Sequence, residues 1–346
     1  MTGTRLTNAT RRRRNVTIID VAKHAGVSPM SVSRVINGDG GVREATRTIV
    51  NEAIRALNYT PNLVARSLVT SKEIRIGVIY SNPSAAFMSD FLAGVFEEAS
   101  SRAAQLILVK DKDDVPIADA VGRLIASGVG GVILAPPLGE ATGLRRMLHD
   151  AALPVAVVGA VANDAVSVGI DDRRAAQDMT RHLIAMGHRR IGFVVGNPGQ
   201  QASIARLEGF RSAVAEAGDV AATIVQGDFS YASGLIAGEQ LLDTSDRPTA
   251  VFASNDDMAA AVVSVAHRRH LDVPADLTVA GFDDTTAAIT LWPPLTTIRQ
   301  PVQQLAAEAL QLLIREMRTG QPLPAEERLR VLEHRLIERD STAPPP

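Results

Sequence analysis

At 346 residues with 46% hydrophobic content, the chain exceeds one ordinary domain and can bury at least two cores. It has no cysteine, which excludes disulfide staples and thiolate metal sites and suits a reducing cytoplasm, and no apolar run approaches the roughly 18 residues of a membrane span. The formal charge of −2 hides a division, since residues 1–73 hold 12 Lys and Arg against 5 Asp and Glu, net +7, leaving 24 basic and 33 acidic residues, net −9.

A basic N-terminal fifth on an acidic body points to a head that binds a polyanion. Residues 1–16 are polar and Arg-rich and read as a disordered arm. The apolar stretch after Arg11, Arg12, Arg13 and Arg14 is interrupted by Asp20, Lys23 and His24, unlike a secretory signal. Three short helical segments follow within 17–57. Thr17 with Asp20 resembles a capping box, Gly26 offers a turn, and Ser28 before Pro29 supplies an N-cap with proline at the first helical position. The expectation is helix, tight turn, helix, then a third helix over about 45–57. Ile19, Val21, Ala22, Val27, Val32 and Val35 can form a small core, which leaves Pro29, Met30, Ser33, Arg34 and Asn37 on the outer face of the second helix. Arg34 suits bidentate contact with guanine, Met30 suits a thymine methyl, and the hydroxyls and amide suit phosphates. A structural helical hairpin is the plain alternative, and the +7 charge of this region weighs against it.

From residue 74 strand-length apolar runs alternate with helical stretches, among them 75–80, 131–135, 190–195, 250–253 and 278–282. About ten such runs over some 260 residues suit two doubly wound parallel sheets. In such sheets ligands bind beyond the carboxyl ends of the strands. Those positions carry Ser81, Asn82, Asp111, Asp171, Asp172, Asp228, Phe229, Asn255, Asp256, Asp283 and Asp284, with Arg206 at the start of a later helix. Carboxylates, an amide and a guanidinium around an aromatic face suit a polyhydroxyl or otherwise hydrogen-bonding metabolite. For any single acid, a helix cap or solvated turn is the competing reading.

The motifs Val16-Thr-Ile-Ile-Asp-Val-Ala22, Ala25-Gly-Val-Ser28, Val32-Ser-Arg-Val-Ile-Asn37 and Leu57-Asn-Tyr-Thr-Pro-Asn62 resemble the lactose/galactose repressor family. So do Asp171-Asp-Arg-Arg174, His182-Leu-Ile-Ala-Met-Gly-His188, Arg206-Leu-Glu-Gly-Phe210, Ser254-Asn-Asp-Asp257, Gly281-Phe-Asp-Asp284 and Pro294-Leu-Thr-Thr-Ile-Arg-Gln300. The resemblance implies an all-α helix-turn-helix head and an α/β core of two lobes, like a periplasmic binding protein, with three crossings between lobes. It implies a homodimeric repressor that reads a near-palindromic operator in double-stranded DNA under control of a small-molecule effector, a sugar or related metabolite. By resemblance Pro29, Met30 and Arg34 read bases, Thr17, Ser31, Ser33 and Asn37 hold the backbone, and Ser28 belongs to the same DNA-binding set. Pro29 departs from members with a polar residue there, and Gly41 lacks the side-chain contact some members make. The segment Asn62-Leu-Val-Ala-Arg-Ser-Leu68 resembles the hinge helix, with Leu68 as the minor-groove wedge; an interdomain linker with an incidental leucine is the alternative. Arg206, Asn255 and Asp283 would hydrogen-bond the effector and Phe229 would stack on it. The first-lobe stretch 80–90 is less well matched.

The expected division is an arm over 1–16, a DNA-binding domain over 17–60, a hinge over 61–73, a core over 74–340 and a tail over 341–346. The first lobe takes 74–171 and 299–329, the second 172–298 and 330–340. No Walker A Gly-Lys pair, Gly-x-Ser-x-Gly elbow or His-Glu-x-x-His motif favours an enzyme, the histidines are scattered, and no cofactor or metal is expected. A solute-binding protein would need export, and an architectural DNA-binding protein would make the sensor lobes superfluous.

Overall fold

The computed structural model describes residues 18–36, 43–57, 74–111 and 116–346. The expected arm and hinge, and with them Thr17, Asn37 and Leu68, lie outside the described residues. The chain divides into two compact units at residue 66.

The first unit contains α1 (Ile18–Ala25), α2 (Pro29–Ile36) and α3 (Glu44–Ala56). Gly26 turns the chain between the first two with a φ of +64°, a backbone conformation that glycine adopts without steric cost. Ser28 caps α2, its hydroxyl accepting from the Ser31 N–H at 3.1 Å. Val21, Ala22, Ala25, Val32, Val35, Val50 and Ala53 close the core, with Val27, Ile54 and Leu57 against it. The apolar spacing thus turns one face of each helix inward.

In the second unit, β1 (Ile74–Tyr80), β2 (Ala104–Lys110), β3 (Gly131–Leu134), β4 (Val155–Val158) and β5 (Val166–Ile170) alternate with α4 (Ala85–Ser101), α5 (Ile117–Ala126) and α6 (Thr142–Asp150). The chain then enters a second lobe with α7 (Asp172–Ala185), β6 (Arg190–Val195), α8 (Gln201–Ala217), β7 (Ala221–Gln226), α9 (Tyr231–Leu242), β8 (Ala250–Ala253), α10 (Asp256–Arg268), β9 (Thr278–Asp283), α11 (Thr286–Thr290) and β10 (Thr296–Arg299). It returns through α12 (Val302–Thr319), α13 (Ala325–Arg328) and β11 (Leu329–Leu332), and ends with β12 (Arg335–Ile337). The two six-stranded sheets have the orders β11-β5-β4-β3-β1-β2 and β12-β10-β9-β8-β6-β7. Only β12 runs antiparallel to its neighbour. Inner strands such as β3, β4 and β9 are buried along their whole length, as expected of sheets covered by helices on both faces.

Two boundaries differ from the sequence reading by more than a single residue. Leu329, Arg330, Val331 and Leu332 pair with Ser167, Val168, Gly169 and Ile170, so the third crossing follows Leu332 rather than residue 329. The open edge of β5 recruits this short apolar segment before the chain leaves. The second difference is the C-terminus. Ser341 is wholly buried, its hydroxyl accepting from the Thr296 N–H and donating to the Val279 carbonyl, while the Ala343 N–H donates to Thr278. The expected tail is therefore tied into the second lobe by hydrogen bonds that a polar, Pro-rich composition does not reveal. Among the described residues, no helix is long and apolar enough to cross a membrane.

Candidate functional site

In the first unit, Pro29, Met30 and Arg34 lie on the exposed face of α2, with Met30 68% exposed, and Ser31 and Ser33 are half-buried. An exposed methionine on an eight-residue helix leaves apolar surface that the head's own core does not use. Ser28 is occupied as the cap, since its hydroxyl also lies 3.0 Å from that of Ser31.

In the second unit, the parallel strands direct their carboxyl ends to a common cleft between the lobes. It is lined from the second lobe by Arg206, Phe229, Asn255 and Asp283, joined by Asp172 and Gln300, and from the first lobe by Asn82, Ser84, Phe87 and Pro136. Arg206 is the centre of the second-lobe wall. Only 5% exposed, it donates from Nε to Asp172 at 2.8 Å and from Nη1 to the Ser254 carbonyl at 2.6 Å, and Nη1 lies 3.7 Å from Asp283. Its guanidinium stacks 3.6 Å over the Phe282 ring and stands 5.8 Å from that of Phe229. The Arg206–Asp172 pair exists because α7 and α8 nearly touch: a Cβ on Gly209 would sit 2.0 Å from the Arg173 carbonyl oxygen.

Asp283 ends β9 with a φ of +112° and accepts from the Gln300 amide at 2.5 Å. Burial pushes its carboxyl well above the usual carboxylate range, opposed by Arg206 and reinforced by Asp256. Burial likewise raises Asp172, again opposed by Arg206. Behind them Asp256 is pushed up by burial to about 7, although it accepts from Thr297 and from the Thr285 N–H and hydroxyl. Phe229 has a φ of +73° and lays its ring on Gly196, where a Cβ would meet the ring at 2.1 Å. This fixes the aromatic face toward the cleft.

The other post-strand polar residues divide. Asn255 lines the cleft but also caps α10, accepting from the Met258 N–H at 3.0 Å and donating to the Phe229 carbonyl at 2.9 Å, which leaves one amide hydrogen for a ligand. Asp171 caps α7, Asp228 accepts from the Ser230 N–H, and Asp284 is paired with Arg299 and Arg339. Asn82 accepts from the Ser84 N–H, and Ser84 caps α4. Sequence reasoning missed Gln300 and Phe87 as lining residues: the first follows a strand but was absorbed into a longer motif, and the second sits within the first turn of a helix. Among the described residues no cluster of His, Asp and Glu has the makings of a metal site.

Residues 17–62 match the model of "Bacterial regulatory proteins, lacI family", and residues 180–342 that of a "Periplasmic binding protein-like domain". Catabolite control protein A of Priestia megaterium is 35% identical over 335 residues, covering 95% of this chain and 99% of its own. The structure of a transcriptional regulator CelR–cellobiose complex superimposes with a TM-score of 0.70 at 31% identity, covering 94% of this chain and 99% of that one. The lac repressor dimer bound to operator and an anti-inducer superimposes with a TM-score of 0.69 at 29% identity, covering 95% and 100%.

Proposed function

We propose, from the premise that this chain belongs to the lacI family of bacterial regulatory proteins, that it is a homodimeric repressor released from or recruited to its operator by a neutral polyhydroxylated metabolite. DNA binding through the helix-turn-helix head and effector binding in the two-lobed core follow from membership of the family. The proposal adds the residues, the class of effector and a cytoplasmic setting.

The observation that carries it is the charge pattern of the cleft. Among its described lining residues Arg206 is the sole cation, and it is already engaged by Asp172 and approached by Asp283. Such a wall presents carboxylate and amide acceptors to hydroxyl groups and spends its guanidinium on protein carboxylates rather than on a phosphate. The ring of Phe229 supports the pyranose or furanose face of a sugar. Cellobiose in the regulator of similar fold agrees with this class. On the head, Arg34, Met30 and Pro29 are assigned to base edges, and Thr17, Ser31, Ser33 and Asn37 to the DNA backbone, with Ser28 at the DNA-facing start of the recognition helix and Leu68 as the minor-groove wedge. A two-fold dimer follows because one short helix reads too few base pairs for genomic specificity. An effector coupling of about 1 to 3 kcal/mol changes operator affinity roughly 5- to 150-fold.

The test is selection of bound sequences from a random duplex library at two salt concentrations, followed by binding of the selected duplex in the presence of neutral sugars and of their phosphates. Enrichment of one near-palindrome that survives higher salt, with a response confined to a neutral sugar, supports the reading. Salt-sensitive binding without a motif, unchanged by any added metabolite, overturns it.

A further inference from the structure

Beside the effector cleft, the two lobes are joined directly by a set of hydrogen bonds centred on Gln201, the first residue of α8. Its backbone N–H donates to the Glu140 carboxylate at 2.9 Å. Its side-chain amide straddles one peptide position of the first lobe, the Oε1 accepting from the Val161 N–H at 3.1 Å and the Nε2 donating to the Val161 carbonyl at 3.4 Å. Glu140 lies in a short 3-10 turn after β3 and Val161 in the loop between β4 and β5, so both belong to the first lobe, whereas α8 belongs to the second. Outside the crossing segments, these are the hydrogen bonds that link the lobes among the described residues.

The chemistry of each partner suits a fastener. The first N–H groups of a helix have no partner within it, and the positive end of the 17-residue α8 favours a carboxylate. A primary amide reproduces the paired donor and acceptor of a peptide group, so Gln201 binds Val161 as a neighbouring strand would. Every bond runs from protein to protein, and the clasp therefore adds to closure whatever the cleft holds. It also shares a helix with Arg206, which lines the cleft little more than one turn along α8, so that wall of the cleft and the group that ties the lobes move as one piece.

We propose that Glu140 and Gln201 form an interlobe clasp with Val161 that biases the core toward closure independently of the effector and thereby sets how tightly the effector binds. A core already biased to the closed form gives up less of its binding free energy to closure, so weakening the clasp lowers effector affinity without altering a single effector contact. The last step rests on the effector reading above; the clasp itself does not, and its test needs no effector.

The chain has no cysteine, so spin labels can be placed cleanly in the full-length protein at Arg146→Cys on α6 and Arg211→Cys on α8, both exposed. The interlobe distance is then measured by double electron–electron resonance on doubly labelled protein exchanged into a large excess of unlabelled protein, so that each dimer carries one labelled protomer. The background variant is expected to give mainly one short distance. Gln201→Ala is expected to lower the closing equilibrium on the order of tenfold, seen as a second, longer population, because it removes two side-chain hydrogen bonds. Glu140→Ala should do the same, whereas Glu140→Gln, which keeps an acceptor for the Gln201 N–H, should restore the short distance. Identical distributions in all variants, or opening by Glu140→Gln as great as by Glu140→Ala, would overturn the clasp. A changed library selection would bear on the DNA-binding reading and leave this result intact.

Discussion

Replacing Arg206 by methionine tests the electrostatic reading of the cleft most directly. Methionine keeps much of the apolar stem and deletes the guanidinium, which strips Asp172 of a 2.8 Å ion pair, Asp283 of a cation at 3.7 Å and the Ser254 carbonyl of its donor. Removing one partner from a buried ion pair costs about 3 to 5 kcal/mol, because the remaining charge is left desolvated. For a core of this size that lowers the melting temperature by roughly 5 to 10 °C. The deficit must also depend on pH. Burial raises both carboxyls above their unfolded values while Arg206 opposes the rise, so without Arg206 they climb further. A carboxyl whose folded pKa is raised loses stability as pH rises from about 4 through that folded pKa. Thermal melting of Arg206→Met should therefore lie far below the parent at pH 8 and approach it at pH 5. An unchanged melting temperature at pH 8, or the same deficit at both values, would refute the assignment of Arg206 as counter-charge to the two acids.

Gly196→Ala places a methyl 2.1 Å from the present position of the Phe229 ring, so the ring must leave; calorimetry should show effector affinity reduced more than tenfold with operator binding unaltered. Burial lowers the His188 pKa, and its ring faces the Thr249 hydroxyl and the Ala343 carbonyl, each at 2.9 Å. Its contribution to stability is thus complete above about pH 6.5 and is lost as pH falls through the lowered folded pKa, a slope that His188→Gln should remove from melting curves. Arg34→Ala should cost about 1 to 3 kcal/mol of operator binding and relax preference at one base pair, whereas equal loss on all duplexes in a competition assay would assign Arg34 to phosphate.

Much of this architecture is legible in the sequence because local and global signals agree there. Ser28 before Pro29 marks a helix start that the hydroxyl then caps, and the strands at 190–195, after its opening arginine, and 250–253 coincide with apolar runs. The second-lobe wall is legible for a similar reason: Asp283 is the last residue of its strand, and a parallel sheet delivers every strand end to one edge. What escaped depends on partners distant in sequence. Ser341 is buried only because the Val279 carbonyl and the Thr296 N–H meet it across some sixty and forty-five positions. Strand β11 is four residues long and β12 three, too short for periodicity to separate, and their lobes are decided by which sheet edge is open. Glu140 sits in a turn and Gln201 at a helix start that has no side-chain cap, so neither carries a local mark of its interlobe role.

The order in which the chain visits its two sheets governs how the molecule can be divided. Each sheet receives its last strand from the final eighteen residues, β11 going to one and β12 to the other, although the other strands of each come from a single long stretch. Neither lobe is therefore a transferable cassette. A cut at any one crossing leaves both fragments holding strands of both sheets or leaves one sheet short of an edge, so a nicked molecule should stay associated and a gene fusion that borrows one lobe must borrow the other.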